Sequence, residues 1–296
     1  MDAHNLDPLP DPNICPICGS DSGFSNTGVA IAEGVINVCS TCSGYFLFPP
    51  TMIEYTDSGW TKSRELQFEE DIRIAQEFAP RIVQDVQSYL GFPPHNVLEV
   101  GCGSGFMGQG FNAIGCEYTG VDIDSKSIEF ARSKGINAHC LSAEDIGSLA
   151  QKNQKFDLIL SSNVLEHVAI PTKALQELKA ICGGVIVIIV PNPEGLLPRL
   201  KANKSIRRIF QRALHSDREI AYSIDGYWHN LAYPQRTLRY PCEQVGLKPL
   251  RISSMNINDR VYGFVQRNPS LLYKFASGIS GMLGMDSEVI LIANPK

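Results

Sequence analysis

No stretch of this 296-residue sequence approaches the roughly 18 to 20 apolar residues of a membrane helix, so a transmembrane segment is not expected. The opening residues MDAHNLDPLPDPN have neither the basic n-region nor the apolar core of a secretory signal. Positive charge is in deficit, with 26 Lys and Arg against 31 Asp and Glu, a net charge of −5 and a pI near 5.7. That balance argues against bulk nucleic-acid binding, which needs a basic face, although a local basic patch stays open. Internal repeats are lacking too. Cysteine does not come in an even number: there are nine, and without a signal they fit a reducing cytoplasm, with close pairs on metal rather than in disulfides. What remains is ordinary for a soluble globular chain: 44% hydrophobic and 19% charged residues.

Four of the cysteines are ordered. Cys15-Pro16-Ile17-Cys18 and Cys39-Ser40-Thr41-Cys42 are two C-x-x-C knuckles. Two such knuckles supply the four thiolates that zinc takes in a tetrahedral structural site. A redox dithiol is the rival reading. Apolar runs on either side of Glu33-Gly34 predict a hairpin between the knuckles. A segment this short has too little core to fold without such a staple. The expected organisation is a flexible arm at 1–13, a zinc ribbon at 14–50, a helical connector at 51–94 and a catalytic core from 95 to 296. Apolar residues recur at three- and four-residue steps from Phe68 to Leu90, and Pro80 suggests a break between two helices.

The core opens on VLEVGCGSGF, residues 97–106: a buried strand, then Gly101, Gly103 and Gly105, then a helical start. Strand, glycine turn and helix form the entry of a nucleotide-binding α/β unit, where a Cβ would block close approach of the backbone to a ligand. Glu99, just before the turn, suits a ligand with an amine and a positive sulfonium and opposes a pyrophosphate. Asp122 ends the second strand, where a carboxylate can accept both ribose hydroxyls. The third glycine of a dinucleotide fingerprint is replaced by Phe106. NAD binding and a ligand-free α/β domain are the rivals. On these residues the chain resembles the class I S-adenosylmethionine-dependent methyltransferases from about Asn96 to Pro295. The resemblance implies a doubly wound, Rossmann-like, mostly parallel seven-stranded sheet. It also implies that the three glycines line the methionine part and that Asp122 holds the ribose. The segment Ala143-Glu144-Asp145 would border the adenine, with Asp145 preferred over Glu144. A helix N-cap is the plainer role for Asp145.

The fourth core strand leads into Asn163-Val164-Leu165-Glu166-His167-Val168. This resembles the LEHV segment of small-molecule methyltransferases, including the ubiquinone-type O-methyltransferases. In that subgroup a Glu-x-x-Glu-His set binds a divalent metal. Here Asn163 stands at the first position, which removes one hard ligand, and the resemblance then places Asn163 near the cofactor. Methyl transfer to a hydroxyl calls for a base. His229, His167 and, more weakly, His215 are the candidates, with His229 set among Tyr227, Trp228 and Tyr233. Residues 194–226 interrupt the core as a lid. Its helix has an apolar face of Ile206, Ile209, Phe210, Ala213 and Leu214, with Lys204, Arg207, Arg208 and Arg212 directed away from it. The expected activity is O-methylation of a small molecule or of a glycan- or lipid-linked acceptor, with peripheral membrane contact left open; the basic helix face reads either as solvated surface or as steering for an anionic acceptor. An RNA base methyltransferase with an N-terminal zinc knuckle and a non-catalytic cofactor-binding module are the alternatives.

Overall fold

The structure is a computed structural model that describes residues 11, 13–21, 23–50, 60–149, 155–208, 220–226, 229–255, 259, 261–262 and 285–295. Most of the expected arm, and Arg212, His215, Tyr227 and Trp228, lie outside these residues.

Strands β1 (Phe24–Ile31), β2 (Gly34–Cys39) and β3 (Tyr45–Phe48) form an antiparallel meander between and after the two cysteine knuckles. The hairpin turn falls on Ala32 and Glu33. A 31-residue helix, α1 (Trp60–Leu90), follows. The break expected at Pro80 does not occur: the helix passes through it. A proline inside a helix costs about 3 kcal/mol through a lost hydrogen bond and a ring clash. Fully burying an aliphatic side chain returns about 1.5–3 kcal/mol, and α1 buries Phe68, Ile82 and Val86, besides Ala75 and Ala79. The partner is α2 (Phe106–Ala113), which approaches so closely that a Cβ on Gly110 would lie 2.4 Å from the Ala75 carbonyl oxygen.

The core then alternates: β4 (Asn96–Val100), α2, β5 (Glu117–Asp122), α3 (Ser125–Ser133), β6 (Ala138–Cys140), β7 (Phe156–Ser162), α4 (Pro171–Ile181) and β8 (Cys182–Pro191). After α5 (Leu196–Ala202) come β9 (Leu231–Ala232), α6 (Arg239–Gln244), β10 (Lys248–Met255) and β11 (Glu288–Asn294). Seven strands make one sheet in the order β10-β11-β8-β7-β4-β5-β6. The pairs from β8 to β6 are parallel, and β11 runs antiparallel to both β8 and β10. Residues 185–190 of β8 are all buried, as a sheet covered on both faces requires. Strand order reverses beside β4, so the crevice at the carboxyl ends of β4, β5 and β7 is where such sheets take ligands. Among the described residues no helix is long and apolar enough to cross a membrane.

The ribbon does not stop at β3. Its sheet has a fourth strand, β9, from the far side of the sequence, in the order β1-β2-β3-β9. Tyr45 pairs with Ala232 and Phe46 with Leu231. The sequence gives no periodicity for a strand this short, and the segment 228–233 reads as a lead into a helix.

Candidate active site

At the carboxyl end of β4 the backbone turns through Gly101, Gly103 and Gly105 at φ of +76°, +52° and +73°, conformations that glycine adopts without steric cost. The three differ in what they face. A Cβ on Gly101 would lie 2.3 Å from Val164, and one on Gly105 would lie 3.1 Å from Ala131 and Ile136, so these two permit packing. Nothing lies within 4 Å of the Cβ position of Gly103, whose side faces open space.

Asp122 ends β5 and braces this turn. Its carboxylate accepts the Gly103 N–H at 2.8 Å and the Asp124 N–H at 2.9 Å. Burial pushes its pKa up, and the backbone donors work against that shift. An ionised carboxylate has about four acceptor sites, so lone pairs remain for a ligand. Glu99 is buried and accepts a hydrogen bond from the Tyr118 phenol. Burial and the Glu99 charge together push the Tyr118 pKa up. Asn163 follows β7 with φ of +54°, and its Oδ1 is buried with no hydrogen-bond partner, as is Ser104 Oγ. Glu144 anchors the start of α4 by accepting the Ile170 N–H at 2.9 Å. Asp145 is exposed, 3.6 Å from Lys173 Nζ.

A few residues after β7, Glu166 and His167 converge with His229, although 62 residues separate the two histidines. Their rings stand edge to face with centroids 4.7 Å apart. Glu166 Oε1 is 3.9 Å from His167 Nε2 and 4.0 Å from His229 Nε2. Both Glu166 carboxyl oxygens are buried without a hydrogen-bond partner, and burial pushes that pKa well above the carboxylate range. His229 Nδ1 lies 2.9 Å from the Ser223 carbonyl oxygen. A carbonyl only accepts, so Nδ1 carries a hydrogen, and in the neutral ring Nε2, facing Glu166, is the nitrogen left as acceptor. The main-chain N–H of His229 donates to Asp225. Of the aromatic neighbours expected for His229, Tyr233 is described, and its hydroxyl donates to the Leu165 carbonyl instead.

The four knuckle cysteines are all buried, with their sulfurs within 4.8 Å of one another. Cys15 and Cys42 sulfurs are 3.8 Å apart, Cys18 and Cys39 3.7 Å. A tetrahedron of sulfurs at about 2.3 Å from zinc has edges of about 3.8 Å. As thiols they do not share one environment: the Cys42 thiol draws Cys15 down to about 6, while burial pushes Cys18 up to about 12.

In the insertion, Arg207 does not face solvent as its helical position predicts. It is buried, with Nη1 3.4 Å from the Lys201 carbonyl, while Lys204 and Arg208 are exposed. The helical wheel that placed all four cations outward depended on the apolar partners at 209–214, which lie outside the described residues. Glu194 at the start of the insertion binds Arg236 through two hydrogen bonds of 2.8 Å and lies 3.5 Å from Arg199. That pairing had no local signal, since Arg236 is 42 residues away. Tyr118, Ser104 and Ser223 were likewise missed. Tyr118 could have been found, because β4 and β5 pair in parallel next to Glu99.

A glycine turn braced by an acid, at the switch point of a mostly parallel seven-stranded sheet, defines a nucleotide-binding α/β domain with a second polar cluster beside it. The family described as "Methyltransferase domain" matches residues 72–250, more than half of the chain. The chain belongs to this family. The mitochondrial ubiquinone biosynthesis O-methyltransferase of Arabidopsis thaliana is 32% identical over 106 residues, spanning 33% of this chain and 32% of that protein. The ubiquinone biosynthesis O-methyltransferase of Aromatoleum aromaticum is 24% identical over 196 residues, 64% of this chain and 79% of that one. Among solved structures, the plantazolicin methyltransferase BamL superposes with a TM-score of 0.51 at 18% identity, covering 81% of this chain and 90% of that one. A SAM-dependent methyltransferase from Archaeoglobus fulgidus gives 0.50 at 17% identity, over 80% and 99%. At these identities the two structures speak for the fold.

Proposed function

We propose that this methyltransferase uses S-adenosylmethionine to methylate a hydroxyl of a small-molecule or glycan- or lipid-linked acceptor, with His229 as base. The observation that carries this reading is the fixed tautomer of His229. Its Nδ1–H is held by Ser223 and its basic Nε2 faces Glu166 and His167, next to the strand end that bears Asn163. The relatives named as ubiquinone biosynthesis O-methyltransferases support the acceptor class, and BamL was solved in complex with SAH.

The residues present fit the cofactor. Gly103 leaves open space beside a left-handed backbone, and the buried Ser104 Oγ and Asn163 Oδ1 await a donor. We assign the methionine end to Glu99 and the glycine turn, the ribose to Asp122, and the adenine edge to Asp145 or Glu144. When bound, S-adenosylmethionine supplies a methyl group on a sulfonium that is already activated. The protein's share is positioning and proton handling. The acceptor hydroxyl gives its proton to His229 Nε2 while Nδ1–H stays on the Ser223 carbonyl. The imidazolium so formed favours the carboxylate form of Glu166, which burial otherwise opposes. His167, edge-on to His229, completes the wall.

Cys15, Cys18, Cys39 and Cys42 would hold one structural zinc, on the sulfur spacing given above. A second reading of the Glu166–His167–His229 cluster rests on its three ligand atoms lying within 4.8 Å, which suits a divalent cation. Metal analysis separates the two: two equivalents per chain, one lost in Glu166→Gln, would support the cation. The test of function is transfer of radiolabelled methyl from S-adenosylmethionine to a panel of phenols, glycans and glycolipids. Abolished transfer in His229→Ala with S-adenosylhomocysteine affinity retained is the expected result. Transfer unaffected by that substitution would remove His229 as base.

A further inference from the structure

The cysteine ribbon and His229 meet through one continuous set of packed groups. Leu47 in β3 donates its N–H to the Asn230 carbonyl at 2.9 Å, one residue after His229. Leu231, paired with Phe46, donates to the Glu166 carbonyl at 3.3 Å. The loop that orients the imidazole is held by the same hairpin. Ala221 and Ile224 flank Ser223 and are buried with Ile31, Ile36, Leu47 and Ala232 in a single cluster. Gly226 sits so close that a Cβ there would lie 2.8 Å from Ile31 and 3.1 Å from Ala32, at a φ of +61°. The knuckle itself closes the circuit. Thr237 Oγ1 donates to the buried Cys42 carbonyl at 2.8 Å, and Gln244 donates to the Cys18 carbonyl. A Cβ on Gly44 would lie 2.5 Å from Ile17 and 3.0 Å from Thr237.

We infer that the ribbon is a positioning element of the acceptor site: the filled Cys₄ knot and the β1–β3 sheet hold residues 221–232 so that His229 keeps its Nδ1–H on Ser223 and its Nε2 toward Glu166. Among the described residues no hydrogen bond joins the glycine turn, Asp122 or Asn163 to the ribbon, and their link to the knot is apolar packing through Leu98, Val100 and Val121, so metal occupancy acts first on the acceptor half of the site. The physical reason is the shortness of the ribbon. Its fold needs the staple at its base, and the strand β9 it clasps is two residues long, too short to hold its place alone. The inference rests on the reading of His229 as base for its consequence in catalysis, but its structural content is tested without an acceptor.

The experiment uses full-length protein with ring-labelled histidine. Nitrogen NMR reports the His229 tautomer, assigned by its loss in His229→Gln, and calorimetry with S-adenosylhomocysteine reports the cofactor half. With zinc bound, His229 shows the Nδ1–H form. Stripping the metal with a chelator should convert it to the averaged pattern of a solvent-exposed imidazole, while S-adenosylhomocysteine affinity changes less than about twofold, and added zinc should restore the signal. Gly226→Ala, which leaves all four cysteines in place, should disturb the same signal with zinc retained. An unchanged His229 pattern in zinc-free protein or in Gly226→Ala overturns the inference, and so does parallel loss of cofactor binding, which would make the ribbon a general stabiliser. Absence of methyl transfer to any hydroxyl would sink the proposed reaction and leave these signals as they are.

Discussion

Replacing Asp122 by asparagine isolates the charge that braces the glycine turn. The side chain keeps its size, yet one of its two oxygens becomes an NH₂ group. Asp122 Oδ2 accepts from Gly103 and Oδ1 from Asp124, so either orientation of the amide sets a donor against a donor. One charge-assisted hydrogen bond is lost, worth about 1.5–3 kcal/mol. For a chain of this size 1 kcal/mol corresponds to roughly 2–4 °C in Tm, so a fall of about 3–12 °C is expected. A ribose hydroxyl that donates to the carboxylate loses a comparable amount. At 1.36 kcal/mol per decade, S-adenosylhomocysteine affinity should drop about 10- to 150-fold. Calorimetry gives the second number and a thermal melt the first. A lowered Tm with unchanged affinity would make Asp122 a brace for the turn and remove it from the ribose, and no change in either would refute the geometry itself.

Glu166→Gln should change how stability depends on pH. The folded pKa of Glu166 lies above its unfolded value, so above about pH 4.5 the unfolded state releases the proton first and the wild type loses stability as pH rises towards the folded pKa. The Tm advantage of the glutamine variant over wild type should therefore grow as pH rises above about 4.5, and a constant difference would show that the carboxyl keeps an ordinary pKa in the fold. Cys18→Ser should reduce bound zinc from about one equivalent to none and lower Tm by several degrees. Metal-free protein with an unaltered melt would contradict the Cys₄ assignment. Gly101→Ala should destabilise sharply, because its φ is +76° and its Cβ would lie 2.3 Å from Val164; a wild-type melt would show the turn to be slack. Replacing the exposed Lys204 and Arg208 by glutamine should raise KM for an anionic acceptor, more at low salt than at high salt, whereas Arg207→Gln should act on stability, since that residue is buried. Equal KM values at both salt concentrations would make the exposed pair only solvated surface.

What the sequence determined by itself is what depends on short-range pattern. Apolar strands and a glycine turn placed β4 and the carboxyl ends of β5 and β7 within a residue or two, because a buried parallel strand has to be continuous in apolar side chains. The two C-x-x-C knuckles likewise carried their own spacing, and the structure brings their sulfurs to the separation of a tetrahedral site. Tertiary structure decided what depends on partners distant in sequence. Pro80 stays helical because α2 packs against α1 at Gly110, and no local signal reports that contact. Arg207 is buried although its helical position directs it outward. Above all, His229 was legible as a histidine near the end of an insertion, but its tautomer, its approach to His167 and Glu166, and its suspension from the ribbon through β9 are all long-range. A two-residue strand has no period to read, and a carbonyl such as that of Ser223 leaves no mark in the side-chain code. The residues of the site can therefore be listed from the chain, while the direction in which its base points exists only once the ribbon has closed on it.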